Sequence, residues 1–254
     1  MNSKKEQNME DRKWVYPWSL AEAGRLHEKD DWIESYKENC ICARAIELAL
    51  RDGYKDNRLN ETCAKEVIGE HGYDRVNWVL ANTVRESIHD GRYSAENKAW
   101  ARRFFIPKEP EFQNSTFAVN AHPVLIDGFV DQARQEWQKL GLFDKSQCYP
   151  EKLDYTNKVV VLRPEILKDE YKNPKDQLFY AQSGNGCRPQ ARGTKVFGRL
   201  LNGDESETYY CREDILGVLK LELLPDWAQE KLAEWTSAKE QAEAPEAPGM
   251  GEQT

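Results

Sequence analysis

The sequence predicts an α+β protein, with a helical domain over residues 14–141 followed by a small mixed α+β domain over 153–236. Three observations predict this. In the first half, apolar residues recur at steps of three and four, as in Val76, Val79, Leu80 and Thr83. After Pro150 a β-branched run appears, Lys158-Val-Val-Val-Leu162. The pair Asn202-Gly203 then separates two further strand-like stretches, as a hairpin turn does.

Ser19-Leu-Ala-Glu22 has the capping-box pattern and should open a short helix. From about Asp31, Trp32, Ile33, Tyr36, Cys40, Ala43, Ile46 and Leu50 give a long helix a wide apolar stripe, stopped by Gly53. Asn60 can cap a third helix, which ends at Gly72. Asp74 can cap the next, and Asn82, set within its apolar run, is expected to be a buried amide that ties the hairpin to something else. Asp90-Gly91 turns the chain, and Ser94 caps a helix with Trp100 and Phe104 inward. Pro107 and Pro110 end it. Phe117–Val119 reads as a strand or an extended linker. Pro123 suits the first turn of a helix carrying Ile126, Phe129, Ala133 and Trp137. A capping role is expected for His122, just before it.

In the second domain, Arg163-Pro164 opens a helical turn and Gln177–Ala181 reads as a strand. A Gly-rich loop, 183–193, leads to strand-like stretches 195–201 and 207–211. Pro225 begins a last helix with Trp227, Leu232 and Trp235 inward. Residues 237–254, acidic and poor in apolar side chains, read as a disordered tail.

The net charge of −8 argues against general affinity for nucleic acid phosphates. No apolar run reaches the roughly 18 residues of a membrane helix, and the N-terminal residues do not read as a signal peptide. The expectation is therefore a cytoplasmic protein with six reduced cysteines. Cys40 and Cys42 point to different sides of a helix, and no CxxC or HxxxH accompanies them, so they read as structural thiols. No metal, cofactor or catalytic motif is implied.

Two clusters offer binding chemistry. Asn82, Arg85, Arg92, Asn97 and Lys98 gather around the hairpin, either as a polar network locking it or as a ligand site. In the loop region, Lys172, Lys175, Arg188, Arg192, Lys195 and Arg199 stand against Asp176 alone, six cations to one acid, a local +5. Gly184, Gly186 and Gly193 would let backbone N–H groups approach an anion. The loop lacks the Lys-Ser/Thr ending of a nucleotide-binding loop.

The pieces Tyr16-Pro-Trp-Ser, Val79-Leu-Ala-Asn-Thr-Val, Asp90-Gly-Arg-Tyr-Ser, Asn97-Lys-Ala-Trp-Ala and Ala121-His-Pro resemble a family of uncharacterised domains. These domains are encoded on conjugative transposons and related mobile elements of gut Firmicutes. Gln177-Leu-Phe-Tyr-Ala, Gly184-Asn-Gly-Cys, Ala191-Arg-Gly-Thr-Lys-Val-Phe-Gly and Asp214-Ile-Leu-Gly resemble its C-terminal companion domain. The resemblance implies a bacterial mobile-element setting, where accessory proteins often blunt host defences, and it brings no chemistry. The expectation is a non-enzymatic accessory protein binding a protein partner, such as a host defence nuclease, in the manner of anti-restriction or anti-CRISPR proteins. The alternatives are a nucleic-acid-binding accessory protein using the basic loop, and an enzyme acting on nucleic acid. The candidate contact residues are Arg188, Arg192, Lys195, Gly184, Gly186, Arg92, Asn97 and Lys98.

Overall fold

The protein is described by a computed structural model over residues 15–107, 117–203 and 206–243, with side chains through Trp235. Pro110, Asp204, residues 1–14 and residues 244–254 of the expected tail lie outside the described residues. The fold is α+β. Two units divide it, Met1–Leu140 and Gly141–Thr254.

Unit 1 is built from α1 (Leu20–Leu26), α2 (Lys29–Gly53), α3 (Cys63–His71), α4 (Tyr73–Glu86), α5 (Ala95–Ala101) and α6 (Pro123–Lys139). Ser19 caps α1 by accepting from the Glu22 N–H at 3.2 Å. Along α2 the buried stripe is Trp32, Ser35, Asn39, Ala43, Ile46 and Leu50, while Ile33 is exposed. Between α2 and α3 lies a hairpin that the sequence reading missed, β1 (Tyr54–Lys55) paired with β2 (Arg58–Leu59). Asp56 and Asn57 turn it at φ 50° and 60°, a conformation these two residue types tolerate. The common core joins Ile46 and Leu50 to Val76, Val79 and Leu80 and to Phe129 of α6. Arg75 is fully buried among them and donates to Ser35 O at 2.9 Å and Asn39 Oδ1 at 2.5 Å.

Asn82 is not the buried amide the sequence suggested. It is half-buried, and its Nδ2 donates to Glu86 Oε1 one turn on, at 3.1 Å. At about 100° per residue Asn82 lies roughly 120° round the helix from Val76, so adjacency in sequence to the apolar run did not place it on the apolar face. The tie expected of it is made by Thr83. Its hydroxyl donates to Val79 O at 2.8 Å and accepts from the Val119 N–H at 3.0 Å, which fixes 117–119 as an extended linker without strand pairing. Asp74 lies in the first turn of α4, and Gly72 occupies the cap position.

Unit 2 is an antiparallel sheet of β3 (Lys158–Leu162), β4 (Leu178–Ser183), β5 (Lys195–Leu200), β6 (Thr208–Cys211) and β7 (Ile215–Val218). The strand order is β6-β5-β4-β3-β7, so four consecutive strands meander and β7 returns to the far side of β3. Period-two alternation separates two faces. Val160, Leu162, Phe179, Ala181 and Val196 pack with Tyr155, Leu167 and Cys187. Val159, Val161, Leu178 and Tyr180 face Trp227, Leu232 and Trp235 of the last helix, α7 (Asp226–Glu243). That helix carries residues 237–243, which were expected to be disordered. Their Ala, Glu, Lys and Gln residues have high intrinsic helix propensity.

Candidate functional site

The Gly-rich loop joins β4 to β5, and its glycines serve its own backbone. Gly184 has φ 109°, and a Cβ there would come within 2.4 Å of Lys195 O. A Cβ on Gly186 would lie 2.1 Å from Thr194 O. The outgoing limb of the loop is thus pressed against the returning limb, a close approach that only glycine permits. The sequence reading had these glycines open to an anion; the space beside them is filled by the chain.

Arg212, a residue outside the clusters singled out in the sequence, fastens this loop. Its Nη1 donates to Gly186 O at 2.6 Å and Cys187 O at 2.7 Å, and its Nη2 to Leu153 O at 3.0 Å. The guanidinium lies 4.0 Å above the Tyr155 ring, a cation–π geometry. The Tyr155 N–H in turn donates to Cys187 O at 3.0 Å. Burial pushes the Tyr155 phenol above its ordinary range, so it stays neutral beside the cation.

On this fastened loop Arg188 and Arg192 are exposed, and neither forms an ion pair with a described residue. Lys195, at the start of β5, is also exposed, with Nζ 4.2 Å from the centroid of the Tyr209 ring. Lys172 belongs elsewhere. It is 3% exposed, donates to Leu167 O at 2.5 Å and pairs with Asp169 at 3.1 Å, so the surface surplus of charge is smaller than the sequence count. Arg199 lies over the Trp235 ring at 5.8 Å.

The sequence reading also missed two aromatic rings beside these cations. Phe197 and Tyr209 are directly paired across β5 and β6, with ring centroids 5.7 Å apart, and they are 36% and 49% exposed. Lys195, Phe197 and Arg199 alternate along β5 and so share one face. That alternation was the available signal.

The second candidate cluster disperses. Arg92 is exposed and bonded to Asp90 across the turn, Nη2 to Oδ2 at 2.6 Å, and this hydrogen bond holds the Asp90 carboxyl down at about 2. Arg85 donates to Phe104 O, and Lys98 is half-buried. Asn97 is fully buried between α5 and α6. Its Nδ2 donates to Asp127 Oδ1 at 2.8 Å, Asp127 O at 3.2 Å and Asp131 Oδ1 at 2.9 Å, while its Oδ1 accepts from Arg134 at 2.5 Å. Every polar atom of that amide is engaged inside the protein.

With this hairpin placed, the comparison with known families is informative for unit 1. Residues 15–138 match the model of a family described as a protein of unknown function, DUF3849. The DUF3849 match takes in the Tyr16, Val79, Asp90, Asn97 and Ala121 pieces quoted above, and it stops before unit 2. It supports an uncharacterised domain family and assigns no residue a role. No curated protein and no solved structure matches the chain.

Within the DUF3849 stretch, His122 caps α6 by accepting from the Val124 N–H at 3.4 Å. Cys42 is buried there, and desolvation lifts its thiol to about 12, the behaviour of a packing residue. All six cysteines are free thiols. Among the described residues no group of three or more His, Cys, Asp or Glu is arranged to hold a metal ion. No helix among them is long and apolar enough to cross a membrane.

Proposed function

We propose that the chain is a binding protein, not an enzyme, whose second unit engages an anionic partner through Arg188, Arg192 and Lys195. One observation carries this reading: three exposed cations stand on a loop that Arg212 already holds in place. A preformed surface loses little conformational entropy on binding. The mobile-element resemblance supports an accessory role in the cytoplasm of a bacterial host, with the DUF3849-like unit as a second module. The test is retention of the full chain on immobilised heparin, compared with Arg188→Ala/Arg192→Ala. Retention lost in the double variant at an unchanged melting temperature fits the reading; equal retention of both proteins defeats it.

The second reading is a protein partner, such as a host defence nuclease, and the net charge of −8 is on its side. An acidic chain is repelled by polyphosphate at long range but suits a basic protein face. Affinity purification from a host strain, with wild type and double variant in parallel, identifies such a partner. Turnover of labelled RNA or DNA by the purified chain would replace both readings with an enzymatic one.

A further inference from the structure

Resting on the reading that the loop cations meet an anion, we propose that the partner is single-stranded nucleic acid, with bases stacked on Phe197 and Tyr209. One face of the sheet is covered by α7 at Tyr180 and Arg199, through Trp235. Towards the β6 edge the same face continues through Phe197, Tyr209 and Lys195, and there it is open. Two neighbouring rings, 36% and 49% exposed and tilted 50° to one another, are π-surfaces of the kind unpaired bases stack on one at a time. Lys195 Nζ lies over one face of the Tyr209 ring, 4.2 Å from its centroid, so a base stacking on that face displaces the ammonium towards its own phosphate, and the loop ending at Lys195 brings Arg188 and Arg192.

An unpaired strand offers this surface both things it lacks, phosphates for the cations and π-faces for the rings. A duplex offers phosphates but hides its base faces, and an acidic peptide offers carboxylates without flat rings. The overall charge of −8 makes long-range attraction weak, so local contacts must dominate. With three phosphates contacted, log affinity should fall against log salt with a slope of only about −2.

The experiment measures anisotropy of a fluorescein-labelled oligothymidylate of about a dozen nucleotides, within the usual site size, titrated with the full chain. A blunt duplex and polyglutamate serve as competitors. Phe197→Leu with Tyr209→Leu should weaken binding roughly tenfold per ring. Phe197→Tyr with Tyr209→Phe should bind as wild type, and the duplex should compete poorly. Ultraviolet crosslinking of the wild-type complex should map to the peptides carrying Phe197 and Tyr209, which tests the placement without any substitution. Unchanged affinity in the leucine variant, or crosslinks elsewhere, overturns the stacking inference. If Arg188→Ala/Arg192→Ala still abolishes binding in that case, the anionic-partner reading survives alone. Displacement by polyglutamate as readily as by oligothymidylate overturns the inference in favour of a protein partner, and binding of neither polyanion overturns both readings.

Discussion

Asn97 Nδ2 lies 2.8 Å from Asp127 Oδ1, and that same carboxylate oxygen accepts from the Ser94 N–H at 3.1 Å and the Ser94 hydroxyl at 3.3 Å. One buried amide and one carboxylate thereby lock the start of α5 onto α6. Asn97→Ala should leave Asp127, Asp131 and Arg134 short of partners and lower stability by about 2–3 kcal/mol. Asn82→Ala removes only an exposed contact with Glu86 and should change stability by less than about 0.5 kcal/mol. Urea melts of the two variants measure the contrast, and equal losses would show that the amide in α4 had been misjudged.

Gly186→Ala tests the packing of the loop on itself. Its Cβ would lie 2.1 Å from Thr194 O, so one limb has to move. A loss of about 1–3 kcal/mol is expected from the overpacking alone, read as a lower melting temperature. A variant as stable as wild type would mean that the limbs are not in contact in solution.

Arg212→Lys should fail to replace arginine. A single ammonium cannot reach the Gly186, Cys187 and Leu153 carbonyls in the planar spread a guanidinium provides. Heparin retention should fall in this variant even though Arg212 is turned to the loop backbone. Full retention would show that the cations do not depend on the clamp.

Tyr93 supplies a pH dependence. Burial, then the charges of Asp90 and Asp127, raise its phenol to about 12 from an unfolded value near 10. The folded state therefore favours the neutral form. Its contribution is fully present below pH 10 and is lost as pH rises through about 12, at most about 2–3 kcal/mol over that window. Tyr93→Phe, which cannot ionise, should flatten the alkaline fall in stability measured by denaturant melts between pH 9 and 12. An identical slope in both proteins would place the alkaline transition on other groups.

The helices of unit 1 were legible because Val76, Val79 and Leu80 repeat at helical spacing and because the caps at Ser19, Ser94 and His122 act within three residues of themselves. The β1–β2 hairpin was not, since two-residue strands carry no period. The roles of Asn82 and Asn97 were exchanged for a related reason: the acids that engage Asn97 lie 30 and 34 residues away. In unit 2, Gly and Pro around Arg188 and Arg192 announced their exposure. The pairing of Phe197 with Tyr209 could not be read, because it depends on the register after the turn and not on either residue alone. Lys172 was counted as surface charge although its partner Asp169 stands three residues before it.

The strand order has a consequence for the sequence of events in folding. β3 to β6 pair with their chain neighbours, so each contact closes a short loop, whereas Leu162 meets Ile215 only after the whole meander has been made. Arg212 directly follows Cys211, the last residue of β6, and its N–H donates to Thr194 O at 2.8 Å. The guanidinium that pins the Gly-rich loop therefore arrives with the β5–β6 pairing, so the clamp is set by a local pairing before β7 closes the sheet. The coupling runs in reverse as well. When β6 frays from its edge, the loop loses its clamp, so amide exchange in β6 and around Cys187 should report one shared opening.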